Sequence, residues 1–363
     1  MNLRQGGGVQ NILIIRLDAV GDYILTSAAI RTIRENFPIA HITLVVSKNL
    51  YPLAELCLYV NEVFAIEQNQ PFSAEMLYNV TNFAKEYLWR RRFDISFYLG
   101  IVYRPIRNFL SYLSGARERI SFDVDEFSKF FHTKCIKILP QYYAHDCLMN
   151  LHLLNNVGLK VRDTRLEVWY DKTDLLAAKN LIGNFSEGRI KIAVGIGANH
   201  KERKYPVEKY LVAFKEIISK GASLIILGGS SEVDDAKFLE DNLPKEFVKN
   251  LVPVQTGWRV DTAIISLCDI YIGNMTGACD ISATLKKPIV ALSRVAKEMK
   301  GLTEAISYRP WQTKSIILQP EHQLDECHDK PSFNGCRAGK SHCIAQIEPF
   351  EIVNAYEKIL GRE

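Results

Sequence analysis

Three turns in the sequence join a strand pattern to a helix pattern and carry residues that can bind or activate a polar ligand. They are 16–22 (RLDAVGD), 195–206 (GIGANHKERKYP) and 272–280 (IGNMTGACD). In open α/β sheets, ligands bind beyond the carboxyl ends of the strands, so polar side chains at these places are candidates for chemistry. Three such turns together favour a binding site more strongly than any single turn does.

The first turn offers a carboxylate beside a helix N-terminus. Gly21 permits a tight turn, and Asp22 follows it at the start of the next helix pattern, where the helix dipole favours negative charge. Taken alone, a helix cap is the commoner role for such an aspartate. The alternative is that Asp22 acts on a bound ligand.

Basic residues at strand ends in the first half are candidates for an anionic acceptor. Arg16 ends the first strand, beside Gly21, and Arg104 and Arg107 follow the strand pattern at 93–99. Two solvated arginines at the start of a surface helix explain Arg104 and Arg107 equally well. The triplet 90–92 (RRR) is more simply read as cations at a helix C-terminus, although anionic lipid headgroups would use the same residues.

The second and third turns suit an anionic group. Gly197 and Ala198 would let a ligand approach the backbone, and Lys201 and Arg203 could meet phosphates. A solvated basic loop is the alternative for this turn. In the third turn, Thr276 and Gly277 would present a hydroxyl and backbone N–H groups at a helix N-terminus, flanked by Asn274 and Asp280. The alternative there is a plain strand-to-helix turn.

A cysteine cluster is the last constellation. Cys327, Cys336 and Cys343 lie in a polar, turn-rich stretch with two histidines, and three thiolates plus one imidazole would form a closed tetrahedral metal site. No Cys-x-x-Cys pair is present, so buried or free thiols are the alternative to a structural zinc or iron.

These turns need a scaffold of alternating strands and helices. The first half predicts strands at 11–17, 41–46, 62–66 and 93–99, with helices at 24–36 and 74–92. The pattern restarts at residue 189, with strands at 190–195, 223–227, 269–272 and 288–292 and helices at 207–219, 231–242, 277–285 and 349–360. Such alternation predicts βαβ units with parallel sheets in two α/β halves.

Composition narrows the class of protein. The 363 residues are enough for two domains, and 47% hydrophobic residues allow a sizeable core. The net charge of +4 is too small for a dedicated nucleic-acid binder. No apolar run approaches the roughly 20 residues that span a bilayer, and the first ten residues lack a signal-peptide pattern. We therefore expect a cytoplasmic protein. The glycine spacing is not a complete dinucleotide fingerprint, which disfavours a dehydrogenase.

Five segments, in order, resemble glycosyltransferase family 9, the lipopolysaccharide heptosyltransferases. They are 12–46 (ILIIRLDAVGDYILTSAAIRTIRENFPIAHITLVV), 93–122 (FDISFYLGIVYRPIRNFLSYLSGARERISF), 194–210 (VGIGANHKERKYPVEKY), 224–232 (LIILGGSSE) and 268–292 (CDIYIGNMTGACDISATLKKPIVAL). The resemblance covers most of residues 11–295, and the order of the segments makes it specific.

The resemblance implies a GT-B architecture, with two Rossmann-like domains facing a cleft. It divides the chain into a flexible tail (1–10), an acceptor domain (11–170), a linker (171–188), a donor domain (189–346) and a C-terminal helix (347–363). It also implies inverting transfer of a sugar, typically heptose from ADP-heptose, without a catalytic metal. The acceptor would be a glycolipid of the lipopolysaccharide core, reached at the cytoplasmic face of the inner membrane.

The resemblance also assigns roles to residues. Asp22 maps onto the family's general base, and Arg203, Glu232 and the turn Thr276-Gly277 map onto positions that hold the donor nucleotide. Three positions depart from the family pattern: Arg203 stands where a lysine is usual, Met275 replaces an aspartate, and Asp280 stands where a histidine is common. Met275 and Asp280 make a noncatalytic sugar-nucleotide or glycan-binding homologue an alternative. A protein O-heptosyltransferase and a nucleotide-sugar epimerase are further alternatives.

Overall fold

The structure, a computed structural model, describes residues 8–67, 73–100, 105–124, 126, 128–137, 145–295, 304–321 and 341–362. The chain divides into two compact units, Met1–Glu167 and Val168–Glu363. Most of the predicted N-terminal tail lies outside the described residues.

The first unit is built on a six-stranded parallel sheet. Its strands are β1 (Asn11–Arg16), β2 (His41–Ser47), β3 (Glu62–Ile66), β4 (Ile95–Tyr98), β5 (Glu118–Phe122) and β6 (Lys134–Ile136), in the order β3-β2-β1-β4-β5-β6. Its helices are α1 (Val20–Asn36), α2 (Tyr51–Ala54), α3 (Ala74–Phe83), α4 (Pro105–Leu113) and α5 (Asp146–Asn156). β1 is central because its apolar run is buried on both faces, as parallel sheets require.

The second unit repeats this arrangement. Its strands are β7 (Ile190–Gly195), β8 (Ala222–Leu227), β9 (Val248–Asn250), β10 (Ile270–Asn274), β11 (Ile289–Leu292) and β12 (Ser315–Leu318), in the order β12-β11-β10-β7-β8-β9. Its helices are α6 (Lys172–Ile182), α7 (Val207–Ser219), α8 (Val233–Asn242), α9 (Gly257–Ser266), α10 (Gly277–Thr284), α11 (Glu304–Ser307) and α12 (Pro349–Leu360).

Both sheets therefore have the strand order 3-2-1-4-5-6, counted within each unit, which is the Rossmann order. In such a sheet the connections change direction beside the first strand, and a crevice forms there at the carboxyl ends. These switch points lie between β1 and β4 and between β7 and β10. The predicted α/β class with two Rossmann-like units is confirmed.

Two of the predicted segments have a structure different from the one predicted. The predicted linker 171–188 contains α6, which begins at the cap residue Asp171 and is tied to α9 by Arg259, whose Nε donates to Asp174 at 2.9 Å. A helix fixed in this way belongs to the second unit. The predicted helix 74–92 is regular only to Phe83; it continues as a π-helical and then a 3-10 turn, and ends at Arg92 in the left-handed conformation (φ 48°).

Candidate active site

Asp22 lies at the switch point of the first sheet, in the first turn of α1. The N-cap of α1 is Ala19, and Asp22 is the third helical residue, so its Oδ2 reaches back to accept a hydrogen bond from the Ala19 N–H at 3.0 Å. Its side chain is 27% exposed. The capping role and the ligand-facing role are thus both open to this residue, because only one of its oxygens is used by the cap.

Arg16, at the end of β1, lies buried beneath Asp22. Its Nη1 donates to the Leu99 carbonyl at 2.6 Å, and its Nη2 donates to the Asp22 carbonyl at 3.0 Å and to Asp146 Oδ2 at 3.1 Å. A Cβ on Gly100, which follows β4 with φ +140°, would overlap this guanidinium. The glycine therefore leaves the space that the arginine fills.

A second buried arginine completes the cluster. Arg107, on α4, has no exposed side-chain surface; it pairs with Asp18 Oδ1 and donates to the Tyr98 hydroxyl at 3.1 Å. Asp18 also lies 3.3 Å from Arg16 Nη1. Three carboxylates, those of residues 18, 22 and 146, thus surround two guanidinium groups.

The cluster changes the acidity of Asp22. Burial raises the pKa of the Asp22 carboxyl to about 7; the charge of Asp18 adds to the rise, Arg16 opposes it and Asp146 adds a smaller increase. Burial also raises the pKa of Asp146, against the effect of Arg16. A carboxyl that titrates near neutral pH is suited to general base catalysis, because it is a stronger base than an ordinary aspartate and is at least half ionised at pH 7–8.

The structure places the other acceptor candidates less favourably for direct contact. Arg16 and Arg107 are buried in ion pairs, so a ligand would have to exchange with a carboxylate to reach either guanidinium. Gly21 is the second residue of α1. Arg104 lies outside the described residues. No local pattern predicts burial of Arg107, because its apolar neighbours are equally typical of an amphipathic surface helix.

At the switch point of the second sheet, the side chain of Asn274 forms hydrogen bonds with the turn after β7. The residue is 1% exposed, and its Nδ2 donates to the carbonyls of Ile196 (2.9 Å) and Gly197 (3.2 Å). Its Oδ1 accepts from the backbone N–H of Tyr205 and the hydroxyl of Tyr210, both at 3.2 Å. The amide of Asn274 thus holds the loop that carries four other donor candidates, Gly197, Ala198, Lys201 and Arg203.

A buried carboxylate, that of Glu232, lies against the turn after β7. Glu232 is 4% exposed and accepts hydrogen bonds from Gly229 N–H (2.9 Å) and Ser231 Oγ (2.7 Å), while Lys204 Nζ lies 3.0 Å from it. A Cβ on Gly197 would come within 2.9 Å of Glu232 Oε2. Glycine at position 197 therefore allows the turn after β7 to approach Glu232.

The remaining donor candidates lie at the carboxyl edge of the second sheet. Ala198 and Arg203 are half-buried and Lys201 is exposed. Thr276 is the N-cap of α10 and Gly277 its first residue; the Thr276 hydroxyl accepts no capping bond from the helix. Asp280, in the first turn of α10, is 8% exposed. The start of α10 thus presents backbone N–H groups and a hydroxyl at the edge where an anion would bind.

Four residues of these sites were not among the predicted site residues. Asp18, Asp146 and Tyr98 join the first cluster. Arg294, directly after β11, is 1% exposed and lies 3.6 Å from Glu202 in the second unit. Arg294 could have been found from its place at a strand end, whereas Asp146 stands 130 residues from Arg16 without a local signal.

The predicted cysteine site falls mostly on undescribed residues. Cys343 is buried, and Cys327 and Cys336 lie outside the described ranges. Among the residues that the structure describes, no group of three His, Cys, Asp or Glu side chains could hold a metal ion. The structural metal stays a prediction.

A family model shows to which protein family the chain belongs. Residues 108–337 match the model of glycosyltransferase family 9 (heptosyltransferase), which is more than half of the chain. The chain belongs to glycosyltransferase family 9. No curated protein is significantly similar to it in sequence.

Solved structures of this family have the same fold. A glycosyltransferase family 9 structure from Veillonella parvula has a TM-score of 0.78 at 18% identity, with 98% of each chain covered. E. coli ADP-heptose lps heptosyltransferase II has a TM-score of 0.76 at 16% identity, covering 97% of this chain and 99% of that one. E. coli heptosyltransferase WaaC with ADP has a TM-score of 0.70 at 13% identity, covering 96% and 100%.

Within the described ranges, no helix has both the length and the hydrophobicity needed to cross a membrane.

Proposed function

We propose that this family 9 glycosyltransferase moves a sugar, heptose first among the candidates, from an ADP-heptose-type donor to a hydroxyl of a lipopolysaccharide-core or related surface glycan. Transfer inverts the anomeric carbon, and Asp22 is the general base. The observation that carries the proposal is Asp22 itself: a partly exposed carboxylate at a sheet switch point, with a pKa raised to about 7. The ADP and ADP-heptose named for the solved relatives support the donor class.

The chemistry is a single displacement. The acceptor hydroxyl attacks the anomeric carbon, its proton passes to Asp22, and the bond from that carbon to the diphosphate oxygen breaks. Charge then develops on the leaving diphosphate. In the second unit, the N–H groups at the start of α10, the Thr276 hydroxyl and the cations Lys201 and Arg203 are the donors that would stabilise it. Asp22 returns its proton to water after the product leaves.

One observation favours a second candidate, a sugar-nucleotide-binding homologue with little or no transfer activity. Asp280 puts a carboxylate into the same first turn of α10 that would hold the diphosphate, and Met275 supplies no charge beside it. Negative charge there weakens the binding of an anion. Donor binding without turnover would identify this alternative.

Peripheral contact with the membrane is part of the proposal, because a lipid-linked acceptor is held at a bilayer surface. We define the basic-aromatic surface as Tyr78, Lys85, Trp89, Arg90 and Arg92, on the exposed side of α3 and the turns that follow it. Tyr78 is 67% and Trp89 48% exposed, and Lys85 Nζ lies 5.7 Å from the centre of the Trp89 ring. Exposed aromatic rings with cations suit the interface of an anionic bilayer.

The deciding experiment compares the wild type with Asp22→Asn. Both are incubated with a panel of nucleotide sugars, ADP-heptose included, and with truncated bacterial glycolipid or candidate protein acceptors, while nucleotide release and product mass are followed. Asparagine keeps the shape of the side chain but cannot accept the proton, so we expect transfer to fall by about 10²–10⁴-fold with nucleotide affinity unchanged.

Glu35→Gln is the matched control, because Glu35 is another carboxylate of α1, paired with Arg31 and Arg162. It should transfer sugar at the wild-type rate. Full activity of Asp22→Asn would remove Asp22 as the base. Binding without transfer across the whole panel would favour the noncatalytic alternative.

A further inference from the structure

One guanidinium is shared by three carboxylates in the first unit. Arg16 Nη1 donates a hydrogen bond to the Leu99 carbonyl at 2.6 Å. Its Nε and Nη2 both donate to the Asp22 carbonyl, at 3.3 and 3.0 Å. Of these three described carboxylates, that of Asp146 receives a hydrogen bond from Arg16, at 3.1 Å, whereas Asp18 and Asp22 lie near the guanidinium as ion pairs. Arg16 thus donates hydrogen bonds to the backbone carbonyl of Asp22 but not to its carboxylate.

The Asp22 carboxylate is left outside this network of hydrogen bonds. Its Oδ1 lies 3.6 Å from Arg16 Nη2, beyond hydrogen-bonding distance, and its Oδ2 accepts the Ala19 N–H. By contrast, Asp18 pairs with Arg107, and Asp146 accepts from both Arg16 and Asn150 Nδ2 (3.2 Å).

The charges around Asp22 come from several elements. Arg16 faces it from β1, Asp18 from the turn before α1 and Asp146 from α5. Arg107 of α4 and Tyr98 of β4 lie behind Asp18. The two additional carboxylates therefore offset the positive charge that would otherwise stabilise ionised Asp22.

We propose that Asp18 and Asp146 are positioning residues that hold the two buried guanidinium groups away from the Asp22 carboxylate and so keep Asp22 the proton acceptor of the three. This inference rests on the proposed role of Asp22 as the base. Neither Asp18 nor Asp146 needs to touch the substrate, because both act through the arginines and through their own charge.

The direction of the effect follows from electrostatics. Removing either negative charge leaves Asp22 near a guanidinium whose positive charge is less compensated. A nearby cation favours the ionised form of a carboxyl. In Asp146→Asn, Arg16 Nη2 also loses a charged partner and becomes available to Asp22 Oδ1. Both changes lower the pKa of Asp22 and weaken it as a base.

The test measures Asp22 directly and through activity. Carboxyl NMR titration, assigned by comparison with Asp22→Asn, gives the pKa of Asp22 in the wild type, Asp146→Asn and Asp18→Asn without any sugar. The pH profile of transfer gives the same quantity where a donor is turned over. We expect the titration and the acidic limb of kcat/KM to move down by about one pH unit or more in both variants.

Two controls separate this effect from loss of packing. Asp163→Asn removes a carboxylate that pairs with the buried Arg31 in the same unit, and it should leave the titration of Asp22 in place. Asp146→Glu restores the charge and should return the limb toward the wild-type position. A structural role alone would lower stability without moving the titration.

An unchanged Asp22 titration in a folded Asp146→Asn or Asp18→Asn protein would overturn the inference. If neither variant folds, the wild type decides, because Asp22 should then protonate at a higher pH than Asp146, and the reverse order would overturn it. A failed function proposal is recognised separately: Asp22→Asn would retain transfer, or no donor would be used, while the titration result would stand.

Discussion

The charge proposed for Asp22 and the burial of its side chain have opposite effects on its protonation. In the mechanism proposed above, its ionised form accepts a proton, yet burial and the neighbouring carboxylates raise its pKa from 3.8 to about 7. Between pH 4 and 7 the folded chain therefore keeps a proton that the unfolded chain has already released. The contribution of Asp22 to the free energy of unfolding therefore falls as the pH rises through this window and becomes level above about pH 7.

Asp22→Asn should therefore be more stable than the wild type above pH 7 and lose that advantage near pH 4. Asparagine stays neutral and can still accept the Ala19 hydrogen bond. Each pKa unit corresponds to roughly 1.4 kcal/mol, so we expect a gain on the order of 1–3 kcal/mol at pH 8. Urea unfolding at pH 4.5 and pH 8 measures it. Glu35→Gln should show no such pH-dependent gain, and an Asp22→Asn protein less stable than the wild type at pH 8 would contradict the assignment.

At the scale of elements, the sequence predicted best those segments whose own pattern decides their structure. β3, β7, α7 and α12 have the predicted bounds, because each is a short, mainly apolar strand run or a strongly periodic helix. By contrast, α9 was not predicted: the glycine at its start and its mixed composition, GWRVDTAIIS, are equally compatible with a loop. Its helical state depends on packing against α6, which no local pattern reports.

The candidate site was predictable in the same partial way. Strand-to-helix turns are visible in the sequence, and they located Asp22 and Thr276 correctly at carboxyl edges of the sheets. The pairing of Arg16 with Asp146 was not visible, because α5 reaches the first strand only through the topology of the unit. Burial of charged side chains depends on such distant partners, so the buried state of Arg107 could not be read from its neighbours.

The basic-aromatic surface gives a prediction for one helical segment. Vesicles containing phosphatidylglycerol should bind the wild type, and Trp89→Ser with Arg90→Glu and Arg92→Glu should weaken this binding by tenfold or more, since each basic residue near such a surface contributes about 1 kcal/mol. Co-sedimentation measures it. A variant with Lys237→Glu and Lys245→Glu, on the second unit, is the control for charge. Equal binding of the wild type and the triple variant would exclude this surface.

The molecule as a whole uses one strand order twice. Each unit places its first strand at the centre of a parallel sheet, and each gathers polar groups beyond the carboxyl end of that strand. The groups differ in kind: the first unit gathers carboxylates held by buried arginines, which suits proton transfer, and the second gathers backbone N–H groups and cations, which suits a diphosphate. In the function proposed above, the same scaffold would thus support two separate tasks of a transfer reaction.

This division predicts where a nucleotide binds. Saturating ADP should slow amide hydrogen exchange in the turn after β7, in the Gly229–Glu232 turn and at the start of α10, because a ligand that binds only the folded state stabilises it by about 2.7 kcal/mol at 100 times its Kd. Peptides around Asp22 should exchange as in the free protein. AMP, which lacks the second phosphate, should protect the start of α10 less than ADP does. Protection that appears around Asp22 instead would assign the nucleotide to the first unit and reverse the roles proposed for the two sheets.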